Sequence, residues 1–170
     1  ADPLVGKVLR ETQGRIRSMA LVHDQIYRSQ GLGNGDLRTH LEKLSRNILV
    51  AYGAHDRISV RVDTDLPLFR MNTLLPLTLV VNELLTNALK YAFSGKETGR
   101  IIISIHRIND TRYELGVRDD GIGIPETIDI TNAETLGLQI VQTLSDQLNG
   151  AFSRAESTSG SHFVVVFTPR

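Results

Sequence analysis

The sequence predicts an α+β protein, in which an N-terminal antiparallel helical hairpin precedes a domain of mixed helices and strands. Three observations carry this. Apolar residues recur at three- and four-residue steps to about residue 52, and from residue 57 they begin to alternate. Two further helical patterns, near residues 73–93 and 137–148, interrupt the strands. Helices and strands interleave without the regular strand–helix–strand units of a Rossmann sheet.

In the first ~30 residues, Val5, Leu9, Thr12, Ile16, Met19, His23 and Ile26 form one helical stripe, which Val8 and Val22 widen. The run 31–35 (Gly-Leu-Gly-Asn-Gly) is a breaker, because glycine reaches positive φ without steric cost. Asp36 then stands where a helix N-cap belongs, ahead of Leu37, Leu41, Leu44 and Ile48. Two such helices cannot bury both stripes alone. A dimeric four-helix bundle completes them, and packing on the chain's own downstream domain is the alternative.

Ile58–Val62 alternates as a strand does. The longest apolar stretch, Thr73 to Phe93, is a helix with Pro76 in its first turn, where a missing N–H costs nothing. Arg100–Arg107 and Tyr113–Arg118 read as strands joined by a turn at Asn109-Asp110-Thr111. A polar, glycine-containing loop runs from Asp119 to Thr135. Gly137–Leu148 is helical and is closed by Asn149-Gly150. Ala151–Ala155 and His162–Thr168 are the final strands. The change of pattern divides the chain into residues 1–56 and 57–170.

Composition narrows the function. The chain of 170 residues has 19 Lys+Arg and 19 Asp+Glu, so it lacks the basic footprint of a nucleic-acid binder. The absence of cysteine excludes disulfide scaffolds, cysteine zinc sites, iron–sulfur clusters and thiol catalysis. No apolar run approaches the ~20 residues of a membrane span, and no signal-peptide pattern opens the chain. The expected setting is cytoplasmic, alone or as the cytoplasmic portion of a larger protein.

Three segments carry residues suited to chemistry. In Asp119-Asp120-Gly121-Ile122-Gly123 a strand-end carboxylate can accept from a base or an amine, and the glycines let the backbone approach a flat ligand; a plain turn is the other reading. At Thr135-Leu136-Gly137-Leu138-Gln139 a helix start offers free N–H groups and the positive end of its dipole, a ready anion site or simply a helix start. Glu83, Asn87 and Lys90 fall at i, i+4 and i+7, where oxygen ligands and an ammonium could hold Mg²⁺ and a phosphate chain; a solvated helix face is the alternative. His40, His55, His106 and His162 are scattered without metal-ligand spacing and read as surface or structural residues.

In this order the segments resemble the GHKL ATPase superfamily, which includes histidine kinases, gyrase, Hsp90 and mismatch-repair MutL proteins. Asn82-Glu83-Leu84-Leu85-Thr86-Asn87-Ala88-Leu89-Lys90-Tyr91-Ala92 is similar to its N box. Asp119 to Pro125 is similar to the first glycine box, and Leu136 to Val141 to the second. The resemblance implies a Bergerat-type α/β sandwich holding ATP beneath a lid. By position, Asp119 would accept from the adenine amino group, and Gly121 and Gly123 would shape the base pocket. Asn87 would coordinate Mg²⁺, Lys90 would lie near the phosphates, and the N–H groups around Gly137 and Leu138 would hold the phosphate tail. Glu83 stands where hydrolytic members carry their water-activating carboxylate and most histidine kinases an Asn. The lid region, Ile124 to Leu136, has no Phe, and Ser161 stands where the family often has a Thr that helps to hold the adenine site.

Residues 15–29, from Arg15 to Ser29, resemble the phosphoacceptor helix of histidine kinases, with His23 as nucleophile and Asp24 as partner of its other ring nitrogen. The resemblance implies a sensor histidine kinase core. It would dimerise through the hairpin, bind Mg·ATP, phosphorylate His23 and pass the phosphoryl group to an Asp of a response regulator receiver domain. Two alternatives stand beside it: a GHKL ATPase using Glu83 as base, and a non-catalytic docking dimer.

Overall fold

In the computed structural model, which describes residues 3–30, 36–125 and 135–170, the helical and alternating patterns become four α-helices and five strands. The chain forms two compact units, residues 1–34 and 35–170. The 31–35 breaker lies outside the described residues, and so does the direction in which it turns.

The first unit is helix α1, Pro3–Gln30. Its predicted stripe is unevenly used. Val22 and Ile26 are buried, whereas Val5, Val8, Leu9 and Ile16 are exposed.

The second unit opens with α2, Leu37–Ala51, and Asp36 caps it as expected: its Oδ1 accepts from Thr39 N at 2.6 Å. That bond holds the Asp36 carboxyl below its ordinary pKa. Leu37, Leu41, Leu44 and Ile48 are buried, and α2 packs on strand β1 (Ile58–Asp63) and helix α3 (Met71–Asn87). Arg38 ties the first turn down by donating from Nε and Nη2 to Thr64 O at 3.1 and 2.7 Å.

Helix α3 starts at Met71, two residues before the expected point, so Pro76 lies one turn inside it. There the proline ring leaves the carbonyl of Asn72 without its usual i+4 donor. The helix also ends sooner than the sequence suggests. From Ala88 to Ala92 the backbone widens into a single π turn, an arrangement that recurs at functional sites. Twelve residues of α3 are buried on several faces, Glu83 among them, so the solvated-face reading does not hold there.

The remaining strands are β2 (Gly99–Arg107), β3 (Tyr113–Asp119), β4 (Ala151–Arg154) and β5 (His162–Phe167), with α4 (Leu136–Gln147) between β3 and β4. They form one sheet ordered β1-β2-β3-β5-β4, with β1 parallel to β2 and every other pair antiparallel. The turn at 109–111 forms as read: Asn109 Oδ1 accepts from Thr111 N and Arg112 N at 3.0 and 2.9 Å. Asn149 adopts φ 50°, and Gly150 N closes α4 on Ser145 O at 2.9 Å.

Period-two alternation puts Ile101, Ile103, Ile105, Leu115, Val117, Phe163, Val165 and Phe167 on one sheet face, and all are buried. Helices α3 and α4 pack together over this face, giving a two-layer α/β sandwich. At one end Phe69 meets Tyr113 and Phe167 edge-on, with ring centroids 5.3 and 5.8 Å apart.

Candidate active site

Between the helical layer and the sheet lies a cavity of about 400 Å³, lined mostly by apolar groups from α3, the π turn, β3, β5 and the start of α4. Its most distinctive polar group is Asp119, the last residue of β3, which is 5% exposed. Its Oδ1 accepts from Gly121 N at 2.9 Å and Ser161 N at 3.2 Å, and its Oδ2 accepts from the Ser161 hydroxyl. Two backbone donors and a hydroxyl fix the carboxylate's orientation and satisfy a charge that would be costly to bury bare.

The glycines explain how the chain can be this tight. A Cβ on Gly121 would come within 2.2 Å of the Ala92 carbonyl oxygen at the end of the π turn. Gly160, at φ 66°, presses on Asp119 from the other side, where a Cβ would stand 2.0 Å from its carbonyl oxygen. Ile122 N donates to Ala92 O at 2.8 Å, so the glycine segment and the π turn are joined directly.

The structure brings Asn87, Asp119, Gly123, Leu138 and Ser161 to one cavity. Gly121 sits against its wall through Ala92. Gly137 is buried in the first turn of α4 beside Leu138, where the first N–H groups have no intrahelical partner. Thr135, the N-cap, makes no side-chain capping bond, so those donors are not taken up from there.

Other sequence candidates are placed elsewhere. Lys90 lines a second cavity of about 340 Å³ together with Tyr52, Arg57, Phe93 and Lys96. Glu83 is buried in α3 and is not among the residues lining the Asp119 cavity. His23 lies on the exposed side of α1, in the first unit. Its neighbour Asp24 bridges Arg28 at 3.0 Å, an exposed i,i+4 pair.

Motif reading missed the apolar lining: Leu84, Tyr91, Val117, Ile122, Ile124 and Phe163. The available signal was their position, since most fall inside or beside the motifs. Tyr91, Ile122 and Leu136 are substantially exposed for large apolar side chains.

Residues 72–170 match the family model described as histidine kinase-, DNA gyrase B-, and HSP90-like ATPase. Residues 1–52 match a histidine kinase model. The sensor histidine kinase PdtaS of Mycolicibacterium smegmatis is 32% identical over 96% of this chain and 33% of its own length. Blue-light-activated histidine kinase 2 of Erythrobacter litoralis is 33% identical over 62% of this chain and 30% of its own. The chain thus spans about a third of these relatives. Among solved structures, the histidine kinase domain of Erythrobacter litoralis EL346 superposes with a TM-score of 0.79 at 23% identity, covering 91% of this chain and 75% of that one. Cavity, motif order and family models agree: the chain belongs to the histidine kinase-, DNA gyrase B- and HSP90-like ATPase family and is a histidine kinase catalytic core.

Proposed function

We propose that the chain is the kinase core of a two-component sensor, phosphorylating itself on His23 with ATP and passing the phosphoryl group to an aspartate of a receiver domain. The observation that carries this reading is the apolar cavity with the fixed Asp119 carboxylate, Asn87 and the open first turn of α4 along its walls. An adenine ring suits such a slot. It offers an amino group for Asp119 to accept from and two faces for apolar side chains.

Asn87 supplies one hard carboxamide oxygen, and Mg²⁺ usually takes few protein ligands, completing its shell with water and phosphate oxygens. The residues therefore fit the ion, which when bound would neutralise charge on the phosphates. The N–H groups of Gly137 and Leu138, at the positive end of α4, would hold a phosphate tail. Lys90 is the least supported member of the set, because it lines a different cavity.

In the transfer, a neutral imidazole nitrogen of His23 would bond to the γ-phosphorus as the bond to the ADP oxygen breaks, and the imidazole loses its N–H proton to solvent. Asp24, whose Oδ2 bridges Arg28, would orient the ring. The protein's contribution is positioning and charge compensation. Residues 1–56 would carry dimerisation and phosphotransfer, and residues 57–170 nucleotide binding. A dimer through the hairpin would be built on α1, whose exposed Val5, Val8, Leu9 and Ile16 are the apolar surface at hand.

Incubation with γ-labelled ATP tests the reading. Acid-labile label should appear on the wild-type chain and vanish in His23→Gln, while nucleotide binding stays intact. Free phosphate without labelled protein would instead favour hydrolysis with Glu83 as base. The absence of any nucleotide binding would favour a docking dimer.

A further inference from the structure

Arg154 ends β4, an edge strand that bears none of the motifs. Its guanidinium reaches across to the last two residues of the first glycine box. Nη2 donates to the carbonyl of Ile124, and Nη1 donates to the carbonyl of Pro125 at 3.2 Å. Ile124 and Pro125 both line the Asp119 cavity. Arg154 belongs to none of the ion pairs among the described residues, so no described carboxylate competes for its donors. Two residues earlier on the same strand, Phe152 stacks on Phe163 with ring centroids 5.7 Å apart, and Phe163 lines the cavity too.

We propose that Arg154 is a positioning residue for nucleotide binding, a clamp that holds the Ile124–Pro125 wall of the cavity against the sheet. This rests on reading the cavity as the ATP site. The physical case is the fork. A planar guanidinium can donate to two successive carbonyls at once, fixing both the position and the tilt of the peptide between them. That segment needs such a tie. Gly123, just before it, has φ 77°, a conformation open to glycine with its wide backbone freedom, so nothing in its own side chain fixes the course of the next two residues. An ammonium in place of the guanidinium would hold one carbonyl and leave the tilt free. The strand thus contributes one aromatic support and one charged tie to the same cavity.

The experiment compares wild type, Arg154→Met, Arg154→Lys and Arg118→Met, the last on the outer sheet face. Mg·ATP affinity is measured by calorimetry, and amide hydrogen exchange is followed at Ile122, Gly123 and Ile124 with and without nucleotide. In Arg154→Met, affinity should fall about tenfold, as expected for losing two charge-assisted bonds. Exchange at the three amides should rise while β2 and β3 keep their protection. Arg154→Lys should sit between, with affinity down about threefold, and Arg118→Met should match wild type.

Wild-type affinity and exchange in Arg154→Met would overturn the clamp. If that variant does not fold, wild-type values for both in Arg154→Lys would overturn it. If wild type itself binds no ATP, the nucleotide reading fails and the proposal falls with it. Faster exchange at the three amides in Arg154→Met would then show that the tie exists without serving ATP.

Discussion

At the scale of single residues, the site depends on one carboxylate and on what surrounds it. Asp119→Asn keeps the shape but replaces an acceptor by a donor where three donors already converge. It should weaken ATP binding about 30-fold or more while leaving the fold cooperative; unchanged affinity by calorimetry would place adenine elsewhere. Gly160→Ala puts a Cβ against the Asp119 carbonyl at a positive φ, and should cost about 2 kcal/mol or more of stability in urea unfolding. Much of this was legible in advance. Asp119, Asn87 and Ser161, which line one cavity, and Gly137 beside it are singled out by ordered motifs whose residue types stand at fixed offsets. Arg154 was not legible, since an arginine in a four-residue strand carries no spacing signal and its partners are backbone carbonyls 29 and 30 residues earlier.

At the scale of elements, α2 and α3 meet through a buried polar pair that periodicity could not reveal. His40 Nε2 lies 3.0 Å from Thr78 Oγ1, and the Thr78 hydroxyl already donates to Leu74 O at 2.7 Å. Thr78 must therefore accept, which places a proton on His40 Nε2. Burial, helped by the nearby Lys43, pushes its pKa down to about 4 from 6.5. The folded state thus binds its proton later than the unfolded chain as pH falls. Stability is fully present above pH 6.5 and falls by about 1.4 kcal/mol per pH unit as pH drops toward 4. Urea titrations at pH 7 and pH 5 should show the loss, and His40→Gln should flatten it; an equal slope in that variant would assign the effect to other groups. Strand and helix positions were otherwise readable from apolar period. The early start of α3, which puts Pro76 one turn inside it, and the π turn were not, because burial around α3 outweighs the local cost of each.

At the scale of the whole molecule, the packing division and the change of apolar pattern fall at different places. The pattern changes near residue 56, whereas α2 packs with the sheet-bearing unit that begins at residue 35. Periodicity shows that a helix has an apolar stripe but not which surface covers it. Hydrogen exchange should expose the difference. Amides of α2 should exchange with those of β1 and α3, and the N-terminal half of α1, with Val5, Val8 and Leu9 exposed, should exchange soonest. Protection of α2 that tracks α1 instead would contradict the division.

The tie between Ser161 and Asp119 spans 42 residues. During synthesis, a nascent chain that has reached residue 159 holds both recognisable boxes and the whole N box, yet its Asp119 lacks two of its three donors. Contacts this distant in sequence are made late, after the loop-closing entropy has been met. If Asp119 is the adenine acceptor proposed above, competence for nucleotide would arrive with β5 rather than with the motifs, and a ribosome-stalled intermediate would carry the recognition sequence without the recognition.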